Sequence, residues 1–251
     1  MLVISGSLPK AGSSWFLHLT NDLLVAAGHP DNKQIRDKFD LQFMKYDECN
    51  IQEPTPEKIE ILTSPPVSEY TFAVKTHHPP NRHVLDLLAK GKIKITYIYR
   101  DPRDTAVSGL EAGRKLRARG VFERFGKIES MQDAIEWSSR QVENNWQRWI
   151  QKEGILYFRY EDLLRNPLEE LSRLAGYLEI DVPEEAVGKI IGKHSAARLK
   201  ESREGKPKYH FNKGRTGRFR EVMTAVEIES CHRLFGDYLE KMGYADRESP
   251  G

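Results

Sequence analysis

The sequence has few features of a membrane, metal-binding or disulfide-stabilised protein. Its 251 residues include two cysteines, Cys49 and Cys231, which offer neither a disulfide framework nor metal-ligand spacing. We expect both to be buried or idle thiols in a reducing compartment. No stretch approaches the roughly 20 apolar residues that cross a bilayer, and residues 1–4 are too short for a signal-peptide core. For a native full-length chain this predicts a cytoplasmic protein without a membrane span.

An excess of charge of either sign is also absent. The formal net charge is +2, with 39% hydrophobic and 30% charged residues. This balance provides no global field for nucleic acid, so we expect no nucleic-acid partner, and the composition is that of an ordinary globular protein. One α/β domain can reach this length. Because no repeat or linker is visible, we predict a single domain over residues 1–251.

Short apolar runs alternate with helical patterns along the chain. Strands are predicted at residues 2–5, 70–74, 93–99 and 155–158. Helices are predicted after Ser13 or Ser14, either of which could cap the first one, and at 81–90, from Pro102, at 130–152 and from Pro167. Residues 30–68 indicate an irregular excursion with one short helix. Such alternation predicts an α/β three-layer sandwich, in which helices flank a central, mainly parallel sheet.

The segment between the first strand and helix has the residues of an anion-binding turn. It runs Gly6-Ser-Leu-Pro-Lys-Ala-Gly-Ser-Ser-Trp15. Main-chain N–H groups and the helix dipole favour phosphate at such a turn, Gly12 allows close approach, and Lys10 adds charge. It is not a Walker A loop, because Ser13 rather than lysine follows Gly12. Alone, it could equally be an ordinary strand-to-helix turn.

Further candidate residues follow other predicted strands. Arg100 ends the third strand and could bind a phosphate with its forked guanidinium, with Ser108 two helical turns later; a pair with Asp101 or Asp104 is the structural alternative. The histidine at the end of the second strand, His77, could accept a proton, although a single histidine is more often structural.

Together these motifs resemble those of the sulfotransferases that depend on 3′-phosphoadenosine 5′-phosphosulfate (PAPS). Pro9-Lys-Ala-Gly-Ser-Ser-Trp15 is similar to the family's 5′-phosphosulfate loop P-K-[ST]-G-T-T-W. Residues 97–108 are similar to its 3′-phosphate motif, including the arginine-to-serine spacing, and residues 75–79 to its K-T-H-[LF]-P. Residues 158–167 resemble Y-E-D-[ML]-x-x-[ND]-P after a strand. Residues 212–220 resemble R-K-G-x-x-G-D-W-K, with Asn212 for the first arginine and Phe219 for the tryptophan.

The resemblance spans about residues 2–229 and implies a P-loop NTPase-like fold. It also implies transfer of a sulfuryl group from PAPS to a small hydroxyl or amine acceptor, with PAP as product and no required metal. His77 would be the base, assisted by Lys10 and Lys75, while a shared role for His78 stays open. The implied nucleotide-binding residues are Lys10, Ala11, Gly12, Ser13, Ser14, Trp15, Arg100, Ser108, Tyr160, Ser195, Lys213, Gly214 and Arg215.

Two other functions stay open at this point. A P-loop nucleotide-dependent kinase would need a Walker A lysine and Mg²⁺ ligands, neither of which is evident. A non-catalytic PAP or nucleotide binder would leave His77 without a task.

The acceptor is not determined by the fold. The chain is a monomer or a homodimer, since Arg220, Thr224 and Glu229 echo the family's dimer segment. The basic segment 113–127 could cover PAPS, bind an anionic acceptor or form a solvated face.

Overall fold

The structure is a computed structural model that describes residues 1–46, 49–150, 152–195 and 214–245. These residues pack into two compact units. The first lies within Met1–Tyr99 and Arg148–Gly214, and the second within Arg100–Gln147 and Arg215–Gly251. The single-domain assignment remains a prediction. In the described part of the chain, no helix combines the length and the apolar character needed to cross a bilayer.

Four parallel strands form the sheet of the first unit. They are β1 (Leu2–Ser7), β2 (Phe72–Thr76), β3 (Ile93–Tyr99) and β4 (Ile155–Arg159). The order across the sheet is β2-β1-β3-β4, with Gly6 of β1 opposite Thr76 on one side and Tyr97 on the other. Since parallel strands end at one edge, the segments that follow β1 and β2 start close together.

The helices of the first unit connect and cover these strands. They are α1 (Ser13–Ala26), α2 (Asn32–Lys38), α3 (Pro56–Thr63), α4 (Arg82–Ala89), α8 (Tyr160–Arg165), α9 (Pro167–Leu178) and α10 (Glu184–Lys193), with the 3-10 helix Val67–Glu69. A further short helix, α7 (Gln147–Trp149), begins at the last residue of the second unit and ends in the first.

The second unit is helical among its described residues. Its helices are α5 (Pro102–Arg117), α6 (Met131–Gln141), α11 (Phe219–Val222) and α12 (Ala225–Lys241), with the 3-10 helix Arg124–Lys127 and the π-helical turn Val142–Trp146. Helix α5 packs on α6, and Ser138 of α6 donates a hydrogen bond to the carbonyl of Pro102, 3.0 Å away.

Both faces of the sheet are covered within the first unit. On one face, all four strands contribute to a core with α1, α8, α9 and α10, through buried side chains that include Val3, Ala73, Ile98 and Phe158. On the other face, the Trp149 ring lies against Gly6 and stacks on Tyr97, with ring centroids 4.9 Å apart. The connections through α1 and α4 run in opposite directions, which places these helices on opposite faces when crossovers are right-handed. The predicted α/β sandwich is confirmed.

Several local predictions were wrong. Gly12, not Ser13 or Ser14, is the N-cap of α1, because its left-handed backbone (φ 94°) turns the chain into the helix and Ser13 is already helical. The predicted helix over 130–152 is interrupted by the π-helical turn, which packs Trp146 edge-on against Tyr238. The segment 30–68 contains two α-helices and a 3-10 helix rather than one short helix.

The burial of both cysteines is confirmed, and it raises the pKa of Cys49 to about 11 and that of Cys231 to about 12.

Candidate active site

The loop after β1 has the backbone of an anion-binding turn. Lys10 and Gly12 have positive φ angles of 68° and 94°. A Cβ on Gly12 would lie 2.6 Å from the ring of Tyr160, so glycine alone fits there without displacing that ring. Gly12 has no side chain that could accept from the first N–H groups of α1. The N-cap residue therefore does not occupy these N–H groups with a side chain, which is a condition for an anion site at a helix N-terminus.

A buried lysine on β2 reaches the same helix start. Lys75 is only 3% exposed, and its Nζ donates to Oγ of Ser14 at 3.0 Å. Its main chain is fixed as well, because its N–H donates to Cys49 and its carbonyl accepts from Ile51. Strand β2 thereby places a cation at the first turn of α1. Lys75 and Ser14, predicted from separate motifs, lie together.

His77 is anchored at the base of the loop by the last residue of β1. Its Nδ1 lies 3.0 Å from the main-chain oxygen of Ser7 and 3.1 Å from Oγ of the same serine. A carbonyl oxygen can only accept, so the contact assigns the proton to Nδ1. In the neutral ring this leaves Nε2 as the nitrogen that can accept a proton.

The neighbouring histidine is placed differently. His78 is exposed, and its main-chain N–H donates to Oγ1 of Thr76 at 3.0 Å. The two adjacent imidazoles are therefore distinct, since the structure anchors the ring of His77 to β1 and exposes that of His78. Ser7, the anchor, was missed in the sequence, where nothing marks a serine 70 residues away as a histidine partner.

An aromatic corner lies at the other side of the first turn of α1. Trp15 and Tyr160 meet edge-to-face with centroids 5.7 Å apart. The indole N–H of Trp15 donates to the main-chain oxygen of His194 at 3.2 Å. Trp15, His194 and Ser195 also line a pocket of about 250 Å³, whose remaining wall is apolar: Leu19, Leu163, Leu164, Pro167 and Ile191. The corner therefore offers a slot for a flat, largely apolar group.

An ionic clamp fixes the backbone that holds Trp15. Asp22 on α1 lies 2.6 Å from Nε2 of His194 and 2.7 Å from Nζ of Lys193. Burial would raise the pKa of Asp22, but the hydrogen bonds from His194 and Lys193 outweigh it, and the pKa lies below its ordinary value. The clamp's contribution is thus present at neutral pH and lost as the pH falls through the lowered pKa. No sequence pattern indicates this pairing across 172 residues.

In the second unit, Arg100 belongs to a network centred on a buried carboxylate. Its Nη2 lies 3.3 Å from Oδ2 of Asp104 and donates to the main-chain oxygen of Arg215 at 2.9 Å. Asp104, 1% exposed, also accepts from the N–H groups of Gly217 and Phe219 at 2.8 and 3.0 Å. The structural alternative for Arg100, a pair with Asp104, is therefore present.

The network orients both Arg100 and residues 215–219. Asp104 lies inside the arginine-to-serine motif, yet its role as the acceptor for this loop was missed, because its partners are more than 100 residues away. Ser108 is buried on α5 two turns after Arg100. The side chain of Arg215 points to Glu221, at 2.5 Å, rather than into the network.

Phe219, at the place of the family's tryptophan, is 1% exposed and lies between two guanidinium groups. Arg103 is 4.0 Å and Arg220 is 4.5 Å from its ring centroid. The phenyl ring thus keeps an aromatic surface at this position.

Of the remaining predicted residues, Ala11 is buried in the loop and Gly214 has a positive φ of 57°. Lys213 lies outside the described residues. No group of three or more His, Cys, Asp or Glu side chains suited to a metal occurs in the described ranges.

Known proteins share this sequence pattern and fold. The sequence model of the family described as sulfotransferase domain matches residues 2–244. Sulfotransferase 6B1 of Mus musculus is 22% identical over 252 residues, covering 98% of this chain and 78% of the relative. The amine sulfotransferase of Oryctolagus cuniculus is 25% identical, with 92% and 78% covered. The crystal structure of retinol dehydratase in complex with androsterone and the inactive cofactor PAP superimposes with a TM-score of 0.62 at 18% identity, covering 99% of this chain and 82% of that one. The chain belongs to the sulfotransferase domain family.

Proposed function

We propose that the protein transfers the sulfuryl group of PAPS to a hydroxyl or amine group of a small acceptor, with His77 as the base. The observation that carries this proposal is the anchoring of His77 to Ser7, the residue that precedes the phosphate loop. This contact supports the proposal because it holds a group that can accept a proton next to the loop that we assign to the 5′-phosphosulfate. A nucleotide binder without catalysis, or a kinase, would not need a histidine held in this tautomer.

The proposal assigns each end of the nucleotide to named residues. We assign the 5′-phosphosulfate to the loop of Lys10, Gly12 and Ser14 and the adenine to the corner of Trp15 and Tyr160. Ser13 and Ala11 belong to the same loop, and Ser195 to the same corner. We assign the 3′-phosphate to Arg100 and Ser108, together with Lys213, Gly214 and Arg215. Support comes from the orientation of Arg100 by Asp104.

The proposed reaction is an in-line displacement. The acceptor oxygen or nitrogen attacks sulfur while the bond between sulfur and the bridging oxygen breaks, and PAP leaves with the electron pair. The acceptor's proton passes to Nε2 of His77. Lys10 and Lys75 stabilise the negative charge that develops on the leaving oxygen, as preorganised cations do in phosphoryl transfer. The contact of Lys75 with Ser14 at the first turn of α1 supports this role.

Transfer from labelled PAPS to a panel of acceptors tests the proposal. The panel contains phenols, sugars, aliphatic and steroid alcohols, and amines, because androsterone occupies one structural relative and another relative is an amine sulfotransferase. We expect transfer to at least one class in the presence of EDTA. PAP binding is measured in parallel by calorimetry. A protein that does not bind PAP would contradict the proposal, whereas PAP binding without transfer would contradict the choice of acceptors.

Asp22→Asn is expected to weaken PAP binding several-fold, up to about tenfold, with little change in kcat. The carboxylate holds His194 and Lys193, and the main-chain oxygen of His194 holds Trp15, so the substitution loosens the adenine corner rather than the reacting atoms. The measurements are the Kd for PAP, and the KM for PAPS compared with kcat.

A matched control is Glu185→Gln on the neighbouring helix α10. Glu185 pairs with Lys189 at 2.7 Å, but both side chains are exposed, so we expect wild-type affinity. A lower kcat at unchanged KM in the Asp22 variant would indicate general damage to the fold and would refute a role at the adenine corner.

A further inference from the structure

The C-terminal end of α5 and the turn after it form one of two strongly basic segments of the chain; the other is residues 206–220. Residues 114–127, here called the basic loop, contain six cations and one carboxylate, Glu123, a net charge of +5 in a chain whose total is +2. The cations are Arg114, Lys115, Arg117, Arg119, Arg124 and Lys127. All except Arg117 are exposed. The basic loop is therefore strongly cationic, although the molecule as a whole is not.

The basic loop has a fixed shape. The guanidinium of Arg117 donates to the main-chain oxygens of Gly126, at 3.0 Å, and Ile128. The N–H of Val121 donates to Leu116 at 3.0 Å. Phe125 packs edge-to-face on Trp137 with centroids 5.2 Å apart. The loop is thus bound back onto the second unit, and its outer side chains are presented by a stable turn.

Two large apolar side chains stand at the outer end of this turn. Val121 is 41% exposed and Phe122 is 62% exposed. In the sequence they lie between the cations Arg119 and Arg124. Scattered exposed apolar residues are ordinary, but two adjacent ones inside a cationic cluster form a distinct surface. Phe125, three residues later in the same loop, packs inward against Trp137. Phe122 is therefore exposed on a structured loop.

We propose that the basic loop docks the protein on an anionic phospholipid surface. Phe122 and Val121 enter the boundary between headgroups and acyl chains, and the surrounding cations face the lipid phosphates and carboxylates. This combination is what interfacial binding requires, since apolar burial supplies anchoring and juxtaposed Lys and Arg supply attraction to anionic lipid. Charge alone would suit a nucleic acid as well. The exposed aliphatic side chain of Val121 favours lipid, because it has no role in phosphate contact or base stacking.

Vesicle co-sedimentation with the full chain tests this. Vesicles of phosphatidylcholine alone are compared with vesicles of phosphatidylcholine and phosphatidylserine, at low and high salt. We expect binding only to the anionic vesicles, and a decrease with salt, because the screening length falls from about 10 Å at 0.1 M to about 3 Å at 1 M. The double variant Val121→Ser/Phe122→Ser should bind at least about tenfold more weakly, because two apolar side chains no longer leave water.

The triple variant Arg119→Gln/Arg124→Gln/Lys127→Gln should lose binding and its salt dependence together. Val226→Ser, at an apolar residue 76% exposed on α12, is the apolar control, and Lys189→Gln on α10 is the charge control; both should bind like the wild type. Thermal unfolding confirms that each variant is folded. The inference is overturned if the wild type does not bind anionic vesicles at low salt, or if both loop variants bind like the wild type. It is also overturned if short RNA or duplex DNA is retained more strongly than vesicles through the same residues.

Discussion

His77→Ala is expected to lower kcat for sulfuryl transfer by about 10²- to 10⁴-fold, the usual contribution of a positioned general base. PAP affinity should stay unchanged, because the nucleotide is assigned to other side chains. The measurement is turnover with labelled PAPS and an acceptor identified in the panel, together with calorimetric titration of PAP. Loss of turnover with retained PAP binding places the defect in the chemical step.

The adjacent residue supplies the control. His78→Ala should retain wild-type turnover, because this imidazole is exposed and is not anchored to β1. A second variant, His77→Asn, separates fold from chemistry: its amide N–H can still donate to the carbonyl of Ser7, but an amide is not a base. Full activity in either His77 variant, or loss of activity in His78→Ala alone, would show that the base has been assigned to the wrong residue.

Gly12→Ala is expected to destabilise the protein by about 2–4 kcal/mol, which combines the cost of a left-handed residue with that of overpacking. The Cβ would lie 2.6 Å from the ring of Tyr160 at a φ of 94°. PAP binding should be lost too, because the loop must move. Denaturant unfolding and calorimetry measure the two effects.

Gly188→Ala is the matched control, since Gly188 lies inside α10 and a Cβ added there would have no heavy atom within 4 Å. There we expect a gain of about 0.5–1 kcal/mol from the better helix propensity of alanine. Because Tyr160→Ala removes the ring that the new Cβ would meet, the double variant Gly12→Ala/Tyr160→Ala should be less destabilised than the sum of the two single variants. Wild-type stability and PAP affinity in Gly12→Ala would contradict the tight fit of this loop.

Strand positions were largely predictable because apolar runs mark them, and β3 was predicted with its observed bounds. The ends of β1 and β2 were not. Strand β1 continues beyond the predicted end at Ser5 through Gly6 and Ser7, whose side chains are small or polar although the strand is buried throughout. Strand β2 likewise continues to Lys75 and Thr76, both buried. Polar residues at the carboxyl ends of the strands conceal these ends from a hydropathy pattern, and these are the residues that approach the site.

The candidate site was predictable where residues are close in sequence and not where the fold brings them together. The turn between β1 and α1 and the position of His77 after β2 followed from local pattern. The contacts of His77 with Ser7, of Asp22 with His194 and of Asp104 with Gly217 join residues 70 to 172 positions apart. A single sequence contains no signal for such pairs. The charged and titratable residues of the candidate site could thus be named from the sequence, while the residues that contact and orient them could not.

The contact between His77 and the carbonyl of Ser7 makes the orientation of this imidazole resistant to point mutation. Every amino acid at position 7 supplies a main-chain oxygen, so a codon change there can remove the serine hydroxyl but not the acceptor that selects the tautomer. The position of this acceptor relative to His77 is set instead by the register of β1 against β2, in which Gly6 pairs with Thr76. A change in this pairing would alter the whole sheet. Any substitution that keeps the sheet intact therefore also keeps the acceptor for the proton on Nδ1 in place.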